Sequence, residues 1–277
     1  MRGHRFSYAA NISIMFTEHD YLDRPAAARA AGFTMIESWW PFTRPVADQA
    51  EVDTMINAIE AADVQLIGLN FFAGDMPAGQ RGVANRPADR ADLDANVEQV
   101  AAIARRTGCR KFNLLYGQLD DRWSRAEQAV AAVDAIGHAA ETIADFAGTV
   151  LVEPLARGLN GAYPLTTTDE VVAVITAVAA PAGNVGLLYD VFHLGSNGAD
   201  LVADARRHAD QIAHVQVADS PGRGEPGSGT LPIAAALAAL PADYDGVIAC
   251  EYKPTTVTEQ TLTWIDAIDR PEPAGDL

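Results

Sequence analysis

Cysteine is nearly absent: Cys109 and Cys250 are the only two in 277 residues. That number excludes a disulfide framework and leaves two reduced thiols expected in apolar surroundings. The chain has no CxxC pair, no HExxH and no closely spaced pair among its six histidines, so the usual zinc motifs are missing. Basic residues are also scarce, 20 Lys and Arg against 37 Asp and Glu, a net charge of −17. Such a surface lacks the footprint that a phosphate backbone or an anionic membrane needs. A small anionic substrate stays open, because one local Arg or a metal overrides the global field. There is no run of 18 apolar residues, and Met-Arg-Gly-His-Arg-Phe-Ser at the start has no signal-peptide character. The expectation is a cytoplasmic protein with a small-molecule partner, no nucleic acid and no membrane. Whether it forms a homo-oligomer stays open.

Hydrophobic residues make up 49% of the chain, enough for a sizeable core. Strand-like and helix-like segments alternate throughout. Strands are expected at 8–13, 34–38, 64–70, 111–116, 149–153, 185–190, 212–217 and 247–251. Helices are expected near 21–31, 46–62, 88–107, 125–146, 200–209, 231–240 and 257–268, with one more capped by Thr167 or Thr168. Gly32, Gly108 and Gly148 stand where helix-closing glycines are expected. Eight βα units in one domain spanning 1–277 predict a (β/α)8 TIM barrel, with 270–277 a frayed tail. A doubly wound sheet is the alternative, but its glycine fingerprint is missing.

Four of the expected strands end on an oxygen-bearing side chain. They are Thr149-Val-Leu-Val-Glu153, Val185-Gly-Leu-Leu-Tyr-Asp190, Ile212-Ala-His-Val-Gln216 and Val247-Ile-Ala-Cys-Glu251. Active sites of such barrels lie at the C-terminal strand ends. Strict alternation puts Glu153 on the face of Leu151, and Glu251 on the face of Ala249. Three carboxylates and an amide on neighbouring strands suit one hard divalent cation, Mg²⁺ or Mn²⁺. Each residue alone also reads as a helix cap or a solvated loop residue. As a set they are too crowded to be comfortable without a cation.

The surrounding loops carry further candidates. Asp219-Ser-Pro-Gly-Arg-Gly-Glu-Pro-Gly-Ser-Gly-Thr230 holds Arg223, which is suited to clamping a carboxylate. His193, three residues after Asp190, is placed to donate to a substrate oxygen. His214 is expected as a buried, hydrogen-bonded interior residue. The loop through Gly74, Pro77, Gly79 and Gly82 is long enough to be functional. Trp39, Trp40, Phe71, Phe72 and Tyr116 are expected as an aromatic mouth.

The chain resembles the hydroxypyruvate isomerase family of the xylose-isomerase-like barrels. The resemblance rests on Ala9-Ala-Asn-Ile-Ser-Ile-Met-Phe-Thr-Glu18, Ala31-Gly-Phe-Thr-Met-Ile-Glu37, Asn70 with Ala73-Gly-Asp75 and Ala78-Gly-Gln-Arg-Gly82, and Glu153-Pro154. It continues in Tyr189-Asp-Val-Phe-His193, His214-Val-Gln-Val-Ala-Asp219, Pro221-Gly-Arg-Gly-Glu-Pro-Gly227 and Cys250-Glu-Tyr-Lys-Pro254. It implies a metal site of Glu153, Asp190, Gln216 and Glu251, with Glu153 and Glu251 as the acid–base pair. It also implies substrate contacts from His193 and Arg223, joined by Asn70 and Lys253. Three places depart from the family: Gly224, where a His is usual, and the loops 116–123 and 157–163.

The reaction so implied is aldose–ketose isomerisation of a small hydroxy-keto acid through an enediolate. Its type is hydroxypyruvate ⇌ 2-hydroxy-3-oxopropanoate. Rivals on the same fold are a 2-oxo-tetronate isomerase, a keto-sugar 3-epimerase and a sugar-acid dehydratase. A hydride shift needs two metals, and one ligand set is present. From other classes come a metal-dependent DNA-repair nuclease, disfavoured by the charge and the few histidines, and a non-catalytic sugar- or metal-binding barrel.

Overall fold

A computed structural model describes residues 4–178 and 183–269. Eight parallel strands close into a barrel in sequence order. They are β1 (Ser7–Asn11), β2 (Met35–Ser38), β3 (Gln65–Leu69), β4 (Lys111–Asn113), β5 (Thr149–Val152), β6 (Val185–Asp190), β7 (Ile212–Val217) and β8 (Val247–Cys250). β8 pairs back onto β1 through Ser7–Val247 to Ala10–Cys250. Closure leaves no sheet edge, so every strand is buried between the barrel interior and the helix layer.

Nine α-helices are described: α1 (Arg24–Ala30), α2 (Gln49–Ala61), α3 (Arg90–Thr107), α4 (Arg125–Ala144), α5 (Thr168–Ala177), α6 (Val191–Ser196), α7 (Leu201–Arg207), α8 (Ile233–Ala238) and α9 (Thr263–Asp269). The extra one is α6, a short helix inserted directly after β6. Of the two candidate caps for α5, Thr167 is the one used: its hydroxyl accepts from Glu170 N–H, and Glu170 answers in a capping box. Gly108 caps α3 in the left-handed conformation, φ 78°. Gly148 does not close α4 as expected. The positive φ falls on Ala147 instead, and a Cβ on Gly148 would lie 3.0 Å from Ile143 Cβ, so close packing explains that glycine. The segment 270–277 lies outside the described residues. Among those described, no helix is long and apolar enough to cross a membrane.

The strand register brings the expected ligands together. Asp190 on β6 pairs with Gln216 on β7, and Gln216 pairs with Ala249, two residues below Glu251. Cys250 faces the helix layer and Cys109 follows the Gly108 cap of α3; both thiols are free and buried. Residues 114–116, expected as strand, leave the ladder after Asn113, and Tyr116 instead bridges back to Gly82.

Candidate active site

Four carboxylates, rather than the three expected, crowd the C-terminal mouth, all buried: Glu37, Glu153, Asp190 and Glu251. Asp190 serves two functions at once. Its Oδ1 caps α6, accepting from Phe192 N–H at 2.7 Å and His193 N–H at 3.1 Å. Its Oδ2 turns to the site, 3.6 Å from Arg223 and 3.8 Å from His193 Nε2. Glu153 accepts from Asn113 Nδ2 at 2.7 Å through Oε2, which leaves Oε1 3.6 Å from His193 Nε2. Asn11 Nδ2 bridges Glu251 Oε2 at 2.8 Å and Glu37 Oε1 at 2.9 Å. Gln216 Nε2 donates to Glu37 Oε1 at 2.6 Å, and its Oε1 is buried without a hydrogen-bond partner.

Burial pushes the Glu153 carboxyl up to about 8, with the Asp190 charge adding to it and the Asn113 hydrogen bond opposing it. Burial likewise raises Asp190 and Glu251, while the Arg223 cation pulls both the other way. Glu37 behaves oppositely. Burial would raise it, but the hydrogen bond and charge of His214, together with Asn11 and Gln216, hold it below the usual carboxylate range. His214 Nε2 lies 2.8 Å from Glu37 Oε2, so His214 is the satisfied interior residue expected.

His193 is a neutral imidazole: burial, then the charges of Arg223 and Arg81, push its pKa well below the usual value. Its Nδ1 accepts the Ala156 N–H at 3.0 Å, which places the ring proton on Nε2. Glu153, Asp190 and His193 cluster closely enough to hold a metal ion. The tautomer makes Nε2 a donor, however, and a ligating nitrogen needs a free lone pair. Within this cluster the oxygens that could hold a cation are those of Glu153 and Asp190, with the orphaned Gln216 Oε1 and the Glu251 carboxylate as further candidates at the same mouth. An unpaired buried carbonyl beside acids raised by burial is an arrangement that a hard divalent ion completes.

Above this set opens a cavity of about 1110 Å³. Asn70, Glu153, His193, Arg223, Glu251 and Lys253 all line it; Asp190 and Gln216 are buried and do not. Arg223 donates to the Glu251 carboxylate through Nη2 and lies 5.2 Å over the Phe192 ring. Its own backbone is left-handed, φ 59°. The loop that holds it is stapled rather than free. Asp219 accepts from Ser220, Leu231 and Gly227 N–H, Glu225 binds Thr255, and Lys253 N–H donates to Arg223 O at 2.7 Å. Gly224, at that departure from the family, packs on Ser228 and Thr255: a Cβ there would lie 2.4 Å from Ser228 Oγ and 3.2 Å from Thr255 Cγ2.

The aromatic mouth differs from expectation. Trp39, Trp40, Phe42, Phe72 and Phe192 line the cavity, whereas Phe71 and Tyr116 do not. After β3 the chain stays extended, so alternation sends Asn70 and Phe72 to the cavity and Phe71 to the core against Phe112. Asn11, Glu37 and Asn113 are site residues that the sequence reading misses. Glu37 carries a signal, since Met35-Ile-Glu is itself an apolar run ending on a carboxylate. The two asparagines carry none.

The comparisons agree with this architecture. The family model described as xylose isomerase-like TIM barrel matches residues 25–268. A Streptomyces coelicolor protein provisionally named hydroxypyruvate isomerase is 41% identical over 94% of this chain and 95% of its own. The 2-oxo-tetronate isomerase of Cupriavidus necator is 31% identical over 93% of this chain and 96% of its own. A crystal structure from Brucella melitensis titled AP endonuclease, family 2, superposes with a TM-score of 0.86 at 28% identity, covering 95% of this chain and 99% of that one. The chain belongs to the xylose isomerase-like TIM barrel family and stands among its isomerases.

Proposed function

We propose that the chain is a metal-dependent isomerase of a small hydroxy-keto acid, with hydroxypyruvate ⇌ 2-hydroxy-3-oxopropanoate as its type reaction. The observation that carries the reading is the placement of Glu153 and Glu251. Both are buried, both line one cavity, and each is held on Oε2 by an asparagine, which leaves Glu153 Oε1 toward His193 and Glu251 Oε1 bound by Arg223. Glu153, Asp190, Gln216 and Glu251 would hold one Mg²⁺ or Mn²⁺. When bound, such a cation polarises the substrate carbonyl and acidifies the neighbouring C–H. One glutamate takes that proton and the other returns a proton to the adjacent carbon. His193 Nε2–H is aimed to donate to a substrate oxygen, while Asn70, Arg223 and Lys253 contact the rest of the molecule. The net charge of −17 supports a small-molecule substrate over a nucleic acid.

A second reading has its own observation. A cavity of about 1110 Å³ with an aromatic wall exceeds what a three-carbon acid fills. That favours a longer substrate, a 2-oxo-tetronate or a keto sugar undergoing 3-epimerisation. A panel of hydroxypyruvate, 2-oxo-tetronates and keto-hexoses with Mg²⁺ or Mn²⁺ decides between them. Preferred turnover of hydroxypyruvate supports the leading reading, and preferred turnover of 2-oxo-tetronates supports the second. Turnover of keto-hexoses alone replaces it, and tight metal binding with no turnover at all points to a non-catalytic barrel.

A further inference from the structure

Arg81 lines the same cavity and is partly buried. In a chain with 37 acidic residues against 20 basic ones, a shielded arginine ordinarily finds a carboxylate. Arg223 does so with Glu251 and Asp190. Arg81 does not. Its Nε donates to Asn160 Oδ1 at 3.2 Å, and its Nη1 donates to Met76 O at 3.0 Å and Gln80 O at 2.7 Å. All three acceptors are neutral. Among the described residues, Nη2 donates to none, and no acid lies within ion-pair distance of the guanidinium.

The side chain is also fixed in place. Gly82, its neighbour, sits at φ 97° with its backbone pressed on Leu115, where a Cβ would come within 2.3 Å of Leu115 O. Gly82 N–H donates to Ala73 O at 2.9 Å. Gln118 Nε2 ties Gly79 O to Asn160 O, so the loops after β3, β4 and β5 lock around Arg81. The Arg81 charge is felt by His193, whose Nε2–H faces Glu153, and burial together with the facing Arg223 charge lowers the Arg81 pKa. A rigid guanidinium with two free N–H groups and no counter-charge, beside the reacting centre, is an anion site.

We propose that Arg81 is the carboxylate-binding residue of the cavity: its free Nη2 edge takes the acid group of a substrate whose reacting carbons lie between Glu153 and Glu251. Arg223, committed to those acids, positions Glu251 and contacts substrate second. Arg81 thereby separates hydroxy-keto acids from neutral keto sugars. The assignment rests on the proposed isomerase reading for its substrate, but not for its anion chemistry.

The test compares the metal-loaded wild type with R81A, R81K and N160A. Each is assayed on hydroxypyruvate and on its neutral analogue dihydroxyacetone, and each is titrated with lactate, an acid that cannot isomerise. The expected result is a loss of about ten- to a hundredfold in kcat/KM for hydroxypyruvate and in lactate affinity for R81A, carried by KM, with dihydroxyacetone unaffected. R81K recovers part of the loss. N160A cuts the bonds of Asn160 to Arg81 Nε and to Ala156 O but keeps the cation and its two backbone acceptors, so it changes the acid-to-neutral ratio by less than about threefold. If R81A does not fold, R81Q replaces it. Equal losses on acid and neutral substrates, or a loss reproduced by N160A, would reduce Arg81 to a loop staple and overturn the assignment. Wild-type turnover of hydroxypyruvate untouched by R81A sinks the assignment and leaves the isomerase. Arg81-dependent lactate binding without turnover of any keto acid keeps the assignment and sinks the isomerase.

Discussion

Gln216 donates its Nε2 hydrogen to Glu37 Oε1 at 2.6 Å, across the barrel mouth from β7 to β2. Glu37 is held ionised by His214 and can only accept, so the bond decides which way the Gln216 amide points. The carbonyl oxygen is thereby presented to the acid cluster. Replacing Glu37 by Gln removes that bias and lets the amide rotate. The E37Q variant is expected to bind Mg²⁺ or Mn²⁺ about 10- to 100-fold more weakly, read by calorimetric titration. Wild-type affinity would show that Glu37 does not orient a ligand.

Glu251 is held by Asn11 from one side and Arg223 from the other. In E251Q the shape is kept and the proton carrier is lost. Turnover should fall by at least about a hundredfold, with the circular dichroism spectrum unchanged. Near-normal kcat would remove Glu251 from the acid–base pair.

A cation that completes the four-oxygen set stabilises the folded chain by mass action. At a concentration a hundred times its Kd, the gain is about 2.7 kcal/mol. For a chain of this size that raises the melting temperature by roughly 5 °C or more. Scans with Mn²⁺ and with a chelator read it directly. Coincident transitions would mean that the oxygens hold no ion.

Cys109 is buried at the end of α3, and burial pushes its thiol up to about 12. Because the folded value lies above that of a free thiol, about 8.5, the neutral form is protected when folded. This contribution is intact below about pH 8.5 and is lost as pH rises toward 12. The native protein should leave Cys109 unlabelled by a thiol reagent at pH 8 and release it on unfolding. Rapid labelling of the native state would contradict the packing described at that helix end.

The barrel and one side of its mouth are legible in the sequence for a local reason. An apolar run of four or five residues that stops on Glu153, Asp190, Gln216 or Glu251 carries both strand and site in one string. What is illegible depends on closure. Glu37 ends a run of the same kind, but only the closed barrel sets β2 opposite β7 and brings Glu37 to His214 and Gln216. Arg81 sits in a glycine-rich loop whose course is set by the Leu115 backbone and by Gln118, both distant in sequence. Phe71 lies in the core rather than the mouth because strand alternation continues past the last residue of β3.

The most direct test of the central claim is isotope exchange. Hydroxypyruvate is converted in D₂O by the Mn²⁺- or Mg²⁺-loaded protein, and the product is examined for carbon-bound deuterium. Proton transfer by Glu153 and Glu251 predicts that solvent deuterium appears at the carbon that receives the proton, and that E251Q abolishes both exchange and product. Product formed at full rate without solvent deuterium would mean that hydrogen moves directly between the two carbons, contradicting proton carriage by the two glutamates.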